Sequence, residues 1–359
     1  MMELTRDALE EWALHCGAMG ARISLDSSGA PAPYGAEWWR ELDIEDRNNE
    51  GELEERLKDT LAHHYRVERE RIALTLGAQH ADFLFFLTQV EPFDLVGVEN
   101  PTFIPLRKGA EMVCRSRVVR RDPDRDYIVD HRDLNEVLER GAKAIALTNL
   151  HNPSAARMSG EELAGVMEEA ARYKALVLVD EVYREMDYGI PCPPAFELGE
   201  NGVSVSSVTK LNGLRGLRIG WLIGPQDVAE KVEMARLYSS YRLPARNLAL
   251  AAEAVKKQGW FRERALKVAR RNLPVLREWL ENEPRVSCRM PDGALMALLA
   301  LPPGVDDLAL SEEVLRRGVA VCPGRYFGAP RHIRVTFSCS TDELRTGLEV
   351  ISSSLDAVH

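Results

Sequence analysis

Ser206-Ser207-Val208-Thr209-Lys210-Leu211-Asn212-Gly213-Leu214-Arg215-Gly216-Leu217-Arg218-Ile219-Gly220-Trp221 is the stretch that decides how this chain is read. Lys210 follows a short strand signal at 203–206, and Arg218 follows eight residues later, across Gly213 and Gly216. A fold has little need of that set, but a binding site has. A lysine amine can hold a carbonyl compound as an imine, and a guanidinium fork matches a phosphate. An exposed surface lysine is the ordinary reading of any single Lys, so the surrounding chain must decide between the two.

Outward from this run, short apolar segments alternate with longer amphipathic ones. Strands are expected at 72–76, 95–98, 144–148, 175–179, 203–206 and 219–223. Helices are expected at 80–90 and at 161–174, where Leu163, Val166, Met167, Ala170 and Ala171 form one stripe. The strands are continuously apolar rather than alternating, which suggests a mostly parallel sheet covered on both faces. The alternation itself suggests a doubly wound α/β large domain. Beyond it a helical stretch is expected from about 228 to 277, with breaks near Pro244 and Gly259. Short strands at 294–301, 319–321 and 333–337 and a helix at 341–358, with Thr341 as N-cap, read as a smaller α+β domain.

The bulk numbers narrow the classes. A length of 359 residues accommodates one large and one smaller domain. A net charge of −10 argues against a nucleic-acid surface. The densest basic stretch, 115–125, is broken by Asp122 and Asp124 and reads as a solvated face. The six cysteines are scattered without zinc-type spacing, which fits a reducing cytoplasm and no metal site. The first residues lack the apolar core of a signal peptide, and no uncharged apolar run reaches the roughly 18 residues of a membrane span.

In open α/β sheets ligands gather beyond the carboxyl ends of the strands. Gly77, Asn152, Asp180 and Lys210 each follow an apolar strand signal. Asp180 ends a buried run, where an acid needs a partner. A cationic ring nitrogen would serve, and a helix cap or structural ion pair is the alternative. Tyr183 and Asn152 could bond a ring hydroxyl oxygen, or be turn and core residues. Gly77-Ala78-Gln79 opens a helix whose free N–H groups attract an anion. Ser207, Thr209 and Arg218 add donors for the same phosphate. Phe103 could stack on the ring or pack in the core. Arg334, inside an apolar strand, wants a carboxylate, either of a substrate or of a structural salt bridge.

With these residues on the page, the chain resembles the class I/II aminotransferases, which are fold-type I pyridoxal-phosphate enzymes. Ser207 to Arg218 is similar to their lysine motif. Asn149 to Pro153 is similar to their Asn-x-x-Asn-Pro loop, and Asp180 to Tyr183 to their Asp-x-x-Tyr element. Pro323-Gly324, Phe327-Gly328 and Arg334 resemble their small-domain loop and carboxylate-binding strand. The resemblance implies an aspartate-aminotransferase-like fold. It implies an N-terminal segment at 1–40 packing with the small domain, a cofactor-binding domain at 41–240, and a connecting helix with the small domain at 241–359. It further implies pyridoxal 5'-phosphate held by Lys210 as a Schiff base, transfer of an α-amino group between an amino acid and a 2-oxo acid, and a cytoplasmic homodimer. Lys210, Asp180 and Tyr183 would be catalytic, and Arg334 with Asn152 would bind substrate. A lyase, decarboxylase or cyclase on the same scaffold is the alternative. Two departures stand out: Ser154-Ala155 replaces the usual Thr-Gly, and the stretch 43–50 lacks the tyrosine many members use to reach the partner's phosphate. Ser27-Ser28-Gly29 is a candidate for the loop that closes over substrate.

Overall fold

The computed structural model describes residues 8–33 and 50–358. The helix Ala8–Ala18 leads to the short strand β1 (Ile23–Ser24). Then come β2 (Ile72–Thr75), β3 (Leu95–Asn100), β4 (Arg115–Asp122), β5 (Ile128–Val129), β6 (Ala142–Thr148), β7 (Leu176–Asp180), β8 (Gly202–Ser207) and β9 (Gly220–Ile223). These last eight form one sheet in the order β2-β9-β8-β7-β6-β3-β4-β5. The pairs β8/β7, β7/β6, β6/β3 and β3/β4 are parallel. Strand β9 runs antiparallel between β2 and β8, so β2 and β8 point the same way.

Side chains of a strand alternate between its two faces, and both faces of this sheet are covered. Val96, Val98, Ala144, Ala146, Leu178, Val203 and Val205 pack with Leu84, Phe85, Leu106 and Val232 of the helices Ala78–Gln89, Ile104–Glu111 and Gln226–Ser239. Ile145, Leu147, Val177 and Val179 pack on the other side with Leu134 and Val137 of His131–Glu139 and Leu163 and Val166 of Gly160–Arg172. That is why the strands read as unbroken apolar runs. The helix Gly160–Arg172 begins in a capping box, with Ser159 and Glu162 each bonded to the other's backbone.

A second sheet holds β10 (Ser287–Cys288), β11 (Met296–Ala300), β13 (Cys322–Pro323) and β14 (His332–Thr336) in the order β10-β11-β14-β13. Strand β12 (Val319–Ala320) pairs in parallel with β1, so the N-terminal segment is tied to this part of the chain. The expected helical stretch is three helices, Gln226–Ser239, Ala245–Lys256 and Gln258–Asn282. The first break is at Pro244 as expected. The second is at Lys257, and Gly259 lies within the third helix.

Two further expectations are corrected. Ser340, not Thr341, caps the last helix, because its hydroxyl accepts from the Glu343 N–H while Glu343 reaches back to the Ser340 N–H. The basic stretch 115–125 is not a solvated face throughout. Arg121 is 2 % exposed and is paired with the equally buried Glu99 at 2.9 Å.

Candidate active site

Sheet register brings the predicted residues to one edge. Thr148 pairs with Asp180, Asp180 with Val205, and both Ser207 and Thr75 with Gly220. The ends of β2, β6, β7 and β8 therefore meet where β9 begins. Gly77, Asn152, Asp180 and Lys210 follow those four ends, and Arg218 precedes β9 by two residues. A cavity opens there. It is lined by Ala78, Gln79, Phe103, Asn152, Asp180, Tyr183, Ser207, Thr209, Lys210 and Arg218, with Thr148 and Val182. Of the predicted residues, Gly77 and Arg334 stand outside this lining, and each is joined to it.

Gly77 has φ +85°, and a Cβ built on it would lie 2.8 Å from an Arg218 Nη. Only a glycine can take this conformation and let the guanidinium approach so closely. Gly220 is equally constrained, since a Cβ there would lie 2.5 Å from the Gly77 carbonyl carbon. Arg218 donates to the Leu76 carbonyl at 3.3 Å, across the mouth of the helix that starts at Ala78. That helix N-terminus, a guanidinium and the hydroxyls of Ser207 and Thr209 make a cradle suited to a phosphate.

Asp180 is buried, and its Oδ1 accepts from the Val182 N–H at 3.1 Å. Burial pushes its carboxyl up to about 6, against the opposing pull of that N–H and of Lys210. A cationic ring nitrogen against it would offset that desolvation. Asp82, one helical turn below Ala78, is also fully buried. Its carboxylate oxygens have no hydrogen-bond partner among the described residues, and burial plus the nearby Asp180 hold its carboxyl well above the usual range. Both causes favour the neutral form of Asp82.

At the opposite end, Arg334 of β14 is 4 % exposed and forms no ion pair among the described residues. Its guanidinium lies 4.5 Å over the Phe327 ring. One Nη donates to Asn152 Oδ1 at 3.1 Å and the other to the Asp26 carbonyl at 2.9 Å. The buried salt bridge considered from sequence is therefore absent among the described residues, and the two expected substrate residues are bonded to each other. The Lys210 amine donates to Ser28 Oγ at 3.1 Å and lies 5.5 Å from the Tyr183 ring centroid. The Tyr183 hydroxyl donates to the same Ser28 oxygen at 2.8 Å.

The loop after β6 is held from below. Asn149 clamps it, accepting from the Met158 N–H and donating to the Met158 carbonyl, each at 3.0 Å. Glu99 accepts from the Thr148 N–H and from the hydroxyls of Thr148 and Thr102. Arg121 bonds the Thr148 carbonyl at 2.8 Å. His151 is buried beside them, and burial holds it well below its ordinary value, hence neutral. Its Nε2 donates to the Pro101 carbonyl, which leaves Nδ1 to accept from Ser154. Ser154, one of the two departures noted above, thus has a partner.

Sequence reasoning missed Thr148, Val182, Asp82 and the Glu99–Arg121 pair, and it named Ser28 only within a loop. A carboxylate inside the apolar run of β3 was the signal available for Glu99. The absent tyrosine falls at 43–49, outside the described residues, as do 34–39.

Comparison with known proteins gives concordant results. A model of the family aminotransferase class I and II matches residues 37–351. Capreomycidine synthase of Streptomyces vinaceus is 29% identical over 366 residues, covering 97% of this chain and 93% of that protein. The aspartate/prephenate aminotransferase of Thermus thermophilus is 27% identical, covering 82% and 79% respectively. The crystal structure of a PLP-dependent aminotransferase from Streptococcus suis superposes with a TM-score of 0.89 at 24% identity, over 100% of this chain and 99% of that one.

Proposed function

We propose a working site from one premise: the chain belongs to the class I and II aminotransferase family and is a transferase of α-amino groups between amino acids and 2-oxo acids. Bound in the cavity, pyridoxal 5'-phosphate would supply an aldehyde that condenses with amines and a ring that takes up electron density from the substrate Cα. The backbone at Gly77, Ala78 and Gln79, with Ser207, Thr209 and Arg218, holds its phosphate. Asp180 would keep a proton on the ring nitrogen, Tyr183 and Asn152 would bond the ring oxygen, and Phe103 would pack against the ring. Lys210 would hold the aldehyde carbon in the resting enzyme. Once displaced by substrate, its Nζ would take the proton from Cα and return it to the former aldehyde carbon. Arg334 binds the substrate carboxylate, oriented by Asn152.

The observation that carries this reading is Arg334, a buried guanidinium free of any carboxylate among the described residues and bonded to the rim of the Lys210 cavity. The domain division follows the same lines. The eight-stranded sheet lies within 41–240 and the four-stranded sheet within 241–359, and β1 joins the 1–40 segment to β12. A homodimer in the cytoplasm is part of the proposal. Exposed Tyr238 and Tyr241 are candidates for its contact, and no helix among the described residues is long and apolar enough to cross a membrane.

The test is a screen of the pyridoxal-phosphate-loaded protein with single amino acids, followed optically, with 2-oxo acids added to reverse each change. Reversible conversion by both partners is expected. A second reading, a lyase, decarboxylase or cyclase on this scaffold, is favoured by the near-full-length match to a protein named a synthase. Release of ammonia, carbon dioxide or a ring-closed product without reversal by 2-oxo acids would select it.

A further inference from the structure

Ser28 was named from sequence only as part of a candidate loop over substrate, yet it is the residue that the lysine amine touches. It is 8 % exposed, and its oxygen accepts two hydrogen bonds, from Lys210 Nζ at 3.1 Å and from the Tyr183 hydroxyl at 2.8 Å. A serine oxygen has two acceptor positions and one proton, so these two donors fill its acceptor capacity. Among the described residues no other group hydrogen-bonds the Lys210 amine.

The segment that carries Ser28 is fixed from both sides. The Leu25 N–H bonds the Ala320 carbonyl at 2.8 Å, and the Leu25 carbonyl accepts from Thr336 at 2.7 Å. The Asp26 carbonyl holds Arg334, and the Ser27 carbonyl accepts from Ser338 at 3.1 Å. Two residues beyond Ser28, the Ala30 N–H donates to the carbonyl of Lys210 itself at 2.8 Å. The hydroxyl is thus held near the lysine by backbone bonds of the residues on either side of Ser28, one of them to the Lys210 carbonyl.

We propose that Ser28 is a positioning residue for the free amine of Lys210, holding it beside the Tyr183 hydroxyl during the part of the cycle in which the lysine is detached from the cofactor. The proposal rests on the reading of Lys210 as the cofactor lysine. A detached lysine is an amine on a flexible four-carbon stem, and taking a proton from carbon needs its nitrogen within hydrogen-bond reach of the reacting carbon. A fixed acceptor restricts the stem to one arrangement. When Lys210 is attached to the cofactor its bond to Ser28 is given up, and Ser28 then competes with the ring oxygen for the single Tyr183 proton.

Ser28→Ala and Ser28→Thr, each loaded with pyridoxal phosphate, test this. In Ser28→Ala the single-turnover rate with a reactive amino acid should fall roughly 3- to 10-fold, as for loss of one hydrogen bond. KM and cofactor content should be unchanged, and Ser28→Thr should restore most of the rate. Without any substrate, the pH midpoint of the bound cofactor's absorbance should move down in Ser28→Ala, because Tyr183 then donates undivided to the ring oxygen. A wild-type rate and an unmoved midpoint in Ser28→Ala would overturn the proposal. So would a rate loss accompanied by loss of cofactor or matched by Ser28→Thr, since either marks a merely structural role. The reading of Lys210 fails separately, if wild-type protein develops no Lys210-dependent absorbance at all.

Discussion

Among the described residues Arg334 meets neutral acceptors, Asn152 Oδ1 and the Asp26 carbonyl, and the Phe327 face, and no carboxylate pairs with it. Replacing the planar fork with an ammonium keeps the charge and removes the paired geometry. Arg334→Lys is expected to lower kcat/KM for amino acids by roughly 10- to 100-fold, about 1.5–3 kcal/mol, mostly through KM. Steady-state kinetics checks this. Asp82 gives a different kind of prediction. Its folded carboxyl is raised above the unfolded value of about 4. The folded state therefore keeps a proton that the unfolded state loses, and its burden on stability appears as pH rises above 4. Asp82→Asn should stabilise the cofactor-free protein by about 1–3 kcal/mol at pH 8 and by little at pH 4, read from urea melts. At this scale, Lys210, Asp180 and Asn152 could be picked out together because each follows an apolar strand signal. Asp82 was not, because an acid inside a helix pattern looks like any solvent-facing acid until the helix is docked. Ser28 is an unremarkable Ser-Ser-Gly until the nearby pairing of Ser24 with Ala320, 296 residues apart in the chain, fixes where it lies.

The turn between β2 and the helix Ala78–Gln89 shows what an element contributes. Gly77 sits at φ +85° with Arg218 against it, and the Gly220 backbone closes in from β9. Gly77→Ala should destabilise the protein by about 1–3 kcal/mol and displace Arg218. Loss of phosphate affinity follows, measured as faster release of pyridoxal phosphate on dialysis. Below the Asn149–Pro153 loop, the Glu99–Arg121 pair is buried at both ends, and burial pushes the Glu99 carboxyl up and Arg121 down. Breaking one side leaves the other charge unpaired, so Arg121→Met is expected to cost about 3–5 kcal/mol in chemical unfolding. The strands and their ends were readable, since covered parallel strands make continuous apolar runs. The pairing of β3 with β4 was not, because charge density in 115–125 hides which arginine turns inward. The cap of the last helix was misplaced by one residue, because Ser340 and Thr341 are both competent caps and only the bond to Glu343 distinguishes them.

Over the whole molecule, the Lys210 cavity lies at the end of the eight-stranded sheet and Arg334 on the four-stranded one, and Asn152 with the Asp26 carbonyl joins the two through Arg334. Buried carboxyls gather near that junction. Burial raises Asp180 to about 6 and Glu181 to about 7. Both folded values lie above the unfolded ones, so their protons stabilise the folded state at low pH. The contribution of these two carboxyls to the stability of the cofactor-free protein should decline as pH rises from about 4 to 7. Bound pyridoxal phosphate, through a cation facing Asp180, should flatten the profile. Melting temperatures at several pH values, with and without the cofactor, check both statements. A change of pattern after the strand expected at 219–223, to helices from about 228 and then short strands, was readable in the sequence, but the bonds between the two sheets depend on tertiary docking alone. The central claim is that Lys210 is the residue that holds the cofactor. Borohydride reduction of the pyridoxal-phosphate-loaded protein, followed by peptide mass mapping, measures it directly. The account predicts one pyridoxyl label, on the peptide containing Lys210, and none in Lys210→Ala; a label on another lysine in the wild-type protein, or one that persists in Lys210→Ala, would contradict it.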